Sequence, residues 1–255
     1  MTTAAQSTAR LSAAFAVHLA QIREERDILH VLEAGGGARE RIEVPGARIC
    51  VIDNCARQLG RNSYAHEKIE ADLHTVNLGE RKFDVVIAYD VLEHLNKPDL
   101  VVDRLCGVLK PGGVFVVASP NPLSLSGLIT RLTPHAFHRF FHEHLLKSTA
   151  HSGFVPFRTY MRLSMRADAL AKRFRKNGLQ ISLFDKYESV RRARLRTRAP
   201  SVGRAYNATL NLCKVMTLGL WAPEISDFVL LACRPWVSET AKTAAPPPRG
   251  QAASV

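Results

Sequence analysis

The sequence contains no Cys-x-x-Cys pair; its five cysteines, Cys50, Cys55, Cys106, Cys213 and Cys233, are scattered and odd in number. That pattern argues against a disulfide framework and a thiolate zinc site, and a reducing compartment is expected. No uncharged apolar run reaches the roughly 18 residues of a spanning helix. The longest tempting stretch, Leu212–Pro223, is interrupted by Lys214. The amino-terminal region lacks the continuous apolar core of a secretory signal, because Gln6, Ser7, Thr8, Ser12 and His18 break it up. A cytoplasmic protein is expected. No internal repeat and no Gly or Pro period is present, which excludes solenoid and fibrous architectures.

The 255 residues are 46% hydrophobic and 23% charged, enough apolar material for one large core. The net charge of +12 is unevenly placed. Between Arg158 and Arg204 there are fourteen Lys and Arg against Asp168, Asp185 and Glu188, so this segment carries nearly the whole excess. Such a stretch is either a solvated basic face or a contact for an anionic partner. The density of Arg191, Arg192, Arg194, Arg196 and Arg198 exceeds one helix face, and only Tyr187 and Tyr206 flank it, unlike a base-stacking platform for nucleic acid. Peripheral contact with an anionic membrane is the expected alternative, since the adjacent residues 207–221 are apolar.

Apolar and β-branched runs predict seven strands, at 29–34, 48–53, 68–72, 83–89, 113–118, 179–184 and 228–233. Helices are predicted at 55–62, 98–109, 166–177 and 201–219. Pro98 fits a first helical turn, Lys110-Pro111-Gly112-Gly113 reads as a stop and turn, and Asn177-Gly178 as a helix end. This alternation predicts an α/β fold: a doubly wound, mostly parallel seven-stranded sheet, with the ligand crevice at the carboxyl ends of the strands. Residues 1–28 read as an N-terminal helical extension, 29–236 as the main domain and 237–255, with Pro246, Pro247 and Pro248, as a disordered tail. Segments 119–164 and 187–226 read as helical cap insertions.

Strand one ends in Glu33-Ala34-Gly35-Gly36-Gly37 and leads toward Arg39. Glycines there allow positive φ and close approach of a ligand to the backbone. The third glycine of a dinucleotide-binding fingerprint is missing. An acid, Asp53, closes strand two about twenty residues on, where a carboxylate can accept two ribose hydroxyls, and Asp72 follows strand three. With Phe83–Leu95 (FDVVIAYDVLEHL) and Leu109–Pro122 (LKPGGVFVVASPNP), the chain resembles the class I S-adenosylmethionine-dependent methyltransferases, of the type described as methyltransferase type 11. The likeness covers roughly residues 29–122 and strands six and seven.

The resemblance implies a Rossmann-like core and S-adenosyl-L-methionine as cofactor. It implies that Glu33 lies near the methionine amino group, that Gly35 and Gly37 pass under the cofactor, and that Asp53 binds the ribose. It further implies that Asp72 reads the adenine amino group with Leu73 alongside the ring, and that Tyr89 and Asp90 line the methionine moiety. Arg39 departs from the pattern, where many members have a glycine.

A sulfonium methyl is already activated, so the protein must chiefly align it with the acceptor. A hydroxyl acceptor gains from a general base, and His is the natural choice near pH 7. His94, directly after strand four, is one candidate; His138 and His142, one helical turn apart in the insertion that also carries His135, His144 and His151, are others. Phe137, Phe140 and Phe141 among them suggest an apolar cap. Asp90-x-x-Glu93-His94 is similar to a metal-binding arrangement of some methyltransferases, but its first acid is one methylene short, and no metal is expected. The expected activity is methyl transfer to a small or lipid-linked acceptor, at oxygen. The rivals are a cofactor-binding module without catalysis and a nucleic-acid methyltransferase; the Asn/Asp-Pro-Pro-Tyr tetrapeptide used on bases is absent, since strand four ends Ala88-Tyr89-Asp90-Val91.

Overall fold

Thr3 caps the first helix, α1 (Ala4–Glu25): its hydroxyl accepts from the Gln6 N–H at 3.2 Å and the Gln6 side chain accepts from the Thr3 N–H at 2.9 Å. The computed structural model describes residues 2–133, 158–190, 193 and 200–236. Leu11, Phe15 and Ile22 recur on one face of α1 and are buried against the sheet, each contributing about 2 kcal/mol. The sequence pattern sets residues 1–28 apart from the strand-helix alternation, yet α1 forms one wall of the core. Ser7 and Arg10 fasten it by hydrogen bonds to the buried Asp185 carboxylate, at 3.3 and 2.7 Å.

The strands are β1 (Thr2–Thr3), β2 (His30–Ala34), β3 (Arg48–Asp53), β4 (Glu67–Glu70), β5 (Phe83–Tyr89), β6 (Leu109–Pro120), β7 (Gln180–Glu188) and β8 (Asp227–Cys233). They form one sheet in the order β1-β7-β8-β6-β5-β2-β3-β4, in which β8 runs antiparallel to both its neighbours and all other pairs are parallel. The seven expected strands are therefore present in a doubly wound, mostly parallel sheet, and the two-residue β1 adds an edge. The Lys110-Pro111-Gly112-Gly113 segment, read from sequence as a turn, lies inside β6. Gly112 holds φ +74° there and its N–H reaches the Arg234 carbonyl at 2.9 Å.

The remaining α-helices among the described residues are α2 (Ala56–Gly60), α3 (Pro98–Gly107), α4 (Leu125–Leu132), α5 (Ala167–Lys176) and α6 (Pro200–Met216). Alternate residues of β6 feed two cores. Val114, Val116 and Ala118 pack on the α1 side, whereas Phe115 and Val117 pack with α3 and α5, where the Phe115 and Phe174 ring centroids are 5.0 Å apart. β5 is buried on both faces, which explains its unbroken apolar run.

β2 pairs with β3 on one side and with β5 on the other, so the strand order reverses between β2 and β5. In open α/β sheets such a switch point places the ligand crevice at the carboxyl ends of these strands. At the opposite, amino ends, Asp84 is fully buried and accepts from Arg26 at 2.5 Å, the His30 N–H at 2.7 Å and Lys110 at 2.9 Å. One carboxylate thus joins the end of α1 to the starts of β2 and β6. An Asp84→Ala protein, measured by urea unfolding, is expected to lose about 3 kcal/mol, because a buried, charge-assisted network is left unpaired.

Candidate functional site

The chain leaves β2 through a turn that only glycine fits. Gly35 has φ +70°, and a Cβ on it would stand 2.3 Å from Val91 Cγ2. Its N–H donates to the Ile52 carbonyl on β3 at 2.7 Å. Gly37 has φ +54°, and its carbonyl accepts from Asn62 Nδ2 at 2.7 Å. The turn is thereby fixed against β3 on one side and against the loop beyond α2 on the other.

Glu33, one strand position from the end of β2, is buried, and the Tyr64 hydroxyl donates to its Oε2 at 2.6 Å. Its Oε1 is buried without a hydrogen-bond partner among the described residues. Burial raises the Glu33 pKa, opposed by the Tyr64 hydroxyl and by the Arg41 backbone N–H. Asp53, half-buried at the end of β3, accepts from the Cys55 N–H at 2.8 Å. Burial raises its pKa too, while the Cys55 and Gly37 amides favour the ionised form. A Cβ placed on Gly37 would be 3.5 Å from Asp53 Oδ2, so turn and carboxylate are immediate neighbours. Glu33, Gly35, Gly37 and Asp53 therefore meet at the carboxyl edge.

Asp72 follows β4 and is exposed; its carboxylate accepts from the His74 N–H at 2.8 Å and lies 2.7 Å from His74 Nδ1. The His74 amide is the main reason its pKa is lowered. The Ala71 N–H bonds the Asp53 carbonyl at 3.1 Å, which keeps Asp72 beside the β3 end. Leu73 is buried in the core.

After β5 the chain turns through Asp90, a non-glycine residue at φ +55°, whose N–H is held by the Ala118 carbonyl at 2.9 Å. Arg41 spans the crevice mouth: its guanidinium lies 5.5 Å over the Tyr89 ring and 3.6 Å from Asp90 Oδ2. Burial raises the pKa of Tyr89 and of Asp90. Tyr64 and Arg41 were not identifiable from sequence, because each sits in an irregular loop with no motif spacing; the only signal for Arg41 was its position after the glycine turn.

Leu92–His94 form a single 3₁₀ turn. Glu93 is buried and accepts from the Ser119 hydroxyl at 3.0 Å. Burial, reinforced by the Asp90 charge, pushes its pKa up to about 8. His94 donates through Nδ1 to the Arg158 carbonyl at 2.9 Å, and its Nε2 lies 4.0 Å from Glu93 Oε1. Burial lowers the His94 pKa, opposed by the Arg158 carbonyl and the Asp90 charge, and so favours the neutral imidazole. Asp90, Glu93 and His94 do not converge into a metal-holding group; no cluster of three such side chains does so among the described residues. His138 and His142, with His135, His144 and His151, lie outside the described residues, as does the tail 237–255.

A cavity of about 420 Å³ lies elsewhere, lined by His30, Arg48, Cys50, His66, Glu67 and Arg81. These residues stand at or near the amino ends of the parallel strands, away from the glycine turn, and this is the wrong edge for the crevice.

The raised pKa of Glu93 makes folding pH-dependent with a definite sign. A carboxyl at 4.5 when unfolded and about 8 when folded contributes stability that is complete below 4.5 and is lost as pH rises through about 8. Thermal melts should therefore show the native protein losing stability relative to Glu93→Gln between about pH 5 and about pH 8. Parallel curves for the two proteins would contradict the assignment.

Residues 32–117 match the family described as methyltransferase domain. Over 117 residues the chain is 36% identical to a Mycolicibacterium smegmatis protein named as a probable S-adenosylmethionine-dependent methyltransferase, an alignment covering 41% of this chain and 43% of that protein. Over 102 residues it is 30% identical to a Bradyrhizobium protein named ubiquinone biosynthesis O-methyltransferase, covering 36% of this chain and 40% of the other. The chain thus spans about two fifths of the length of the curated relatives it matches. A solved structure of a SAM dependent methyltransferase from Archaeoglobus fulgidus superposes with a TM-score of 0.50 at 18% identity, covering 86% of this chain and 93% of that one, a likeness of fold.

Proposed function

We propose, from the match of residues 32–117 to a methyltransferase domain and the likeness to a probable S-adenosylmethionine-dependent methyltransferase, that the chain is a class I enzyme that transfers a methyl group to a hydroxyl of a small or lipid-linked acceptor. The observation that carries the proposal is the meeting of a buried, half-satisfied Glu33 and the Asp53 carboxylate across a turn with no room for a side chain at Gly35. The donor set fits S-adenosylmethionine. Glu33 Oε1 is an acceptor in need of a donor, as an ammonium would supply. Asp53 has one oxygen committed to the Cys55 amide and retains acceptor capacity for ribose hydroxyls.

When bound, S-adenosylmethionine supplies a sulfonium methyl already activated for displacement. Glu33 holds the amino-acid end, Gly35 and Gly37 let the backbone approach, and Asp53 fixes the ribose. Asp72 accepts from the adenine amino group with Leu73 behind the ring, an arrangement that must share the Asp72 carboxylate with His74. Tyr89 and Asp90 line the methionine side. His94 Nε2 takes the proton of the acceptor hydroxyl as its oxygen is methylated; the Nδ1 bond to Arg158 fixes the tautomer this requires. His138 and His142 stay in the proposal as alternative bases. Oxygen as the acceptor atom is supported by the O-methyltransferase name of the Bradyrhizobium relative. A cytoplasmic setting belongs to the same reading, and no helix among the described residues is long and apolar enough to cross a membrane.

Calorimetric titration with S-adenosylmethionine tests the proposal. Binding is expected, and Asp53→Ala should weaken it about tenfold to a hundredfold, the worth of charge-assisted hydrogen bonds. Absence of binding by the native chain, or equal binding by the variant, would overturn the assignment.

A further inference from the structure

The carboxyl edge of the sheet carries an apolar projection that the cofactor site does not use. α6 ends in Val215 and Met216, 72% and 76% exposed, and runs into a tight turn with Leu218 and Leu220 at 89% and 91%. The Leu218 N–H to Val215 carbonyl (3.1 Å), Gly219 N–H to Lys214 carbonyl (2.8 Å) and Leu220 N–H to Thr217 carbonyl (2.9 Å) close this turn. Leu218 stands at φ +49°, a conformation unfavourable for a leucine, and its side chain has little cover within the described chain. The turn is fastened to the start of α4: Trp221 Nε1 donates to the Leu123 carbonyl and the Leu125 N–H to the Pro223 carbonyl, both at 2.8 Å. α4 adds Leu132, 79% exposed, to the same body. A firmly held turn displaying four large apolar side chains to water needs a partner.

The charge pattern indicates which one. From Ser189 to Pro223 the sequence has no Asp or Glu and has seven cations, the five arginines between 191 and 198 together with Arg204 and Lys214; Glu224 follows directly and its carboxylate pairs with Lys214 at 2.7 Å. Around α4 no acid occurs between Asp103 and Glu143. Exposed apolar side chains in a stretch of sequence where cations far outnumber acids fit the boundary of an anionic bilayer, where the side chains enter the acyl region and cations remain with the headgroups. The fold places the turn near the crevice, through its bond from Trp221 to the Leu123 carbonyl at the start of α4. β6 ends at Pro120, beside the β5 end that carries Tyr89 and Asp90, and α4 follows within five residues.

We infer that the 215–220 turn, with the exposed side of α4, docks the protein on an anionic lipid surface and opens the crevice toward an acceptor held in that surface. The docking is independent of the chemistry; the location of the acceptor rests on the methyl-transfer reading.

The test is sedimentation of the full chain with vesicles of phosphatidylcholine alone or with about one quarter phosphatidylglycerol, at about 0.05 M and about 0.5 M salt. Retention by the anionic vesicles at low salt is expected, with the partition coefficient falling about tenfold or more in the Leu218→Ser/Leu220→Ser protein. Both positions are exposed, and S-adenosylhomocysteine binding, titrated on the same samples, should be unchanged in that variant. Failure of the native chain to sediment with anionic vesicles, or equal retention of the variant, would overturn the inference. So would a dimer that dissociates in the variant without vesicle retention, which assigns the face to a second copy of the chain. Vesicle retention without S-adenosylhomocysteine binding leaves the docking supported and removes the methyl-transfer reading.

Discussion

The candidate site depends on one steric constraint: there is no room for a side chain at Gly35. The residue must adopt positive φ, its N–H must reach the Ile52 carbonyl, and the space a Cβ would occupy is filled by Val91 from the loop after β5. These three requirements bring the ends of β2, β3 and β5 within contact of each other. Each end then contributes one acid, Glu33, Asp53 and Asp90. A larger residue at this point would force the β5 loop away and separate the carboxylates, even with the sheet intact. The parallel order on either side of β2 creates the crevice, and the glycine makes it close enough to grip a ligand through the backbone.

The second organising feature is electrostatic. A chain with net charge +12 gathers four acids, Glu33, Asp53, Asp90 and Glu93, at one edge of its sheet, and burial raises the pKa of all four. Groups raised in this way hold unrealised affinity for positive charge, since a cation placed among them favours their ionised forms. An ammonium and a sulfonium suit that setting. Arg41, over Tyr89 and near Asp90, sits at the mouth, where it limits the mutual repulsion of the acids. Asp84, at the other edge, shows the contrasting arrangement, in which three donors saturate a buried carboxylate and leave it a purely structural tie.

Much of the fold was legible because the sheet is covered on both faces. β3 and β5 run over Arg48–Asp53 and Phe83–Tyr89, the limits their unbroken apolar runs predict. The end of β7 was not legible: Asp185, Lys186, Tyr187 and Glu188 lie beyond the strand predicted at 179–184, yet pairing with β8 and β1 extends it to Glu188. The two-residue β1 carries no periodic signal at all. At the site, Glu33 and Asp53 could be singled out because they lie at the ends of strands that the hydrophobic pattern marks, and Gly35 and Gly37 because they follow the first of these directly. Motif spacing could not find Tyr64 or Arg41, whose roles exist only through contacts across the crevice, nor the engagement of Asp72 by His74, a local turn bond.

The most direct test of the central claim is a crystal structure of the protein with S-adenosylhomocysteine. The ligand is predicted to lie over the glycine turn, its ribose hydroxyls on the Asp53 carboxylate and its amino group toward Glu33. A ligand seated instead in the cavity at the amino edge, between His30, Arg48 and His66, would contradict the account, because it would show that the turn at Gly35 closes the fold without forming the binding site.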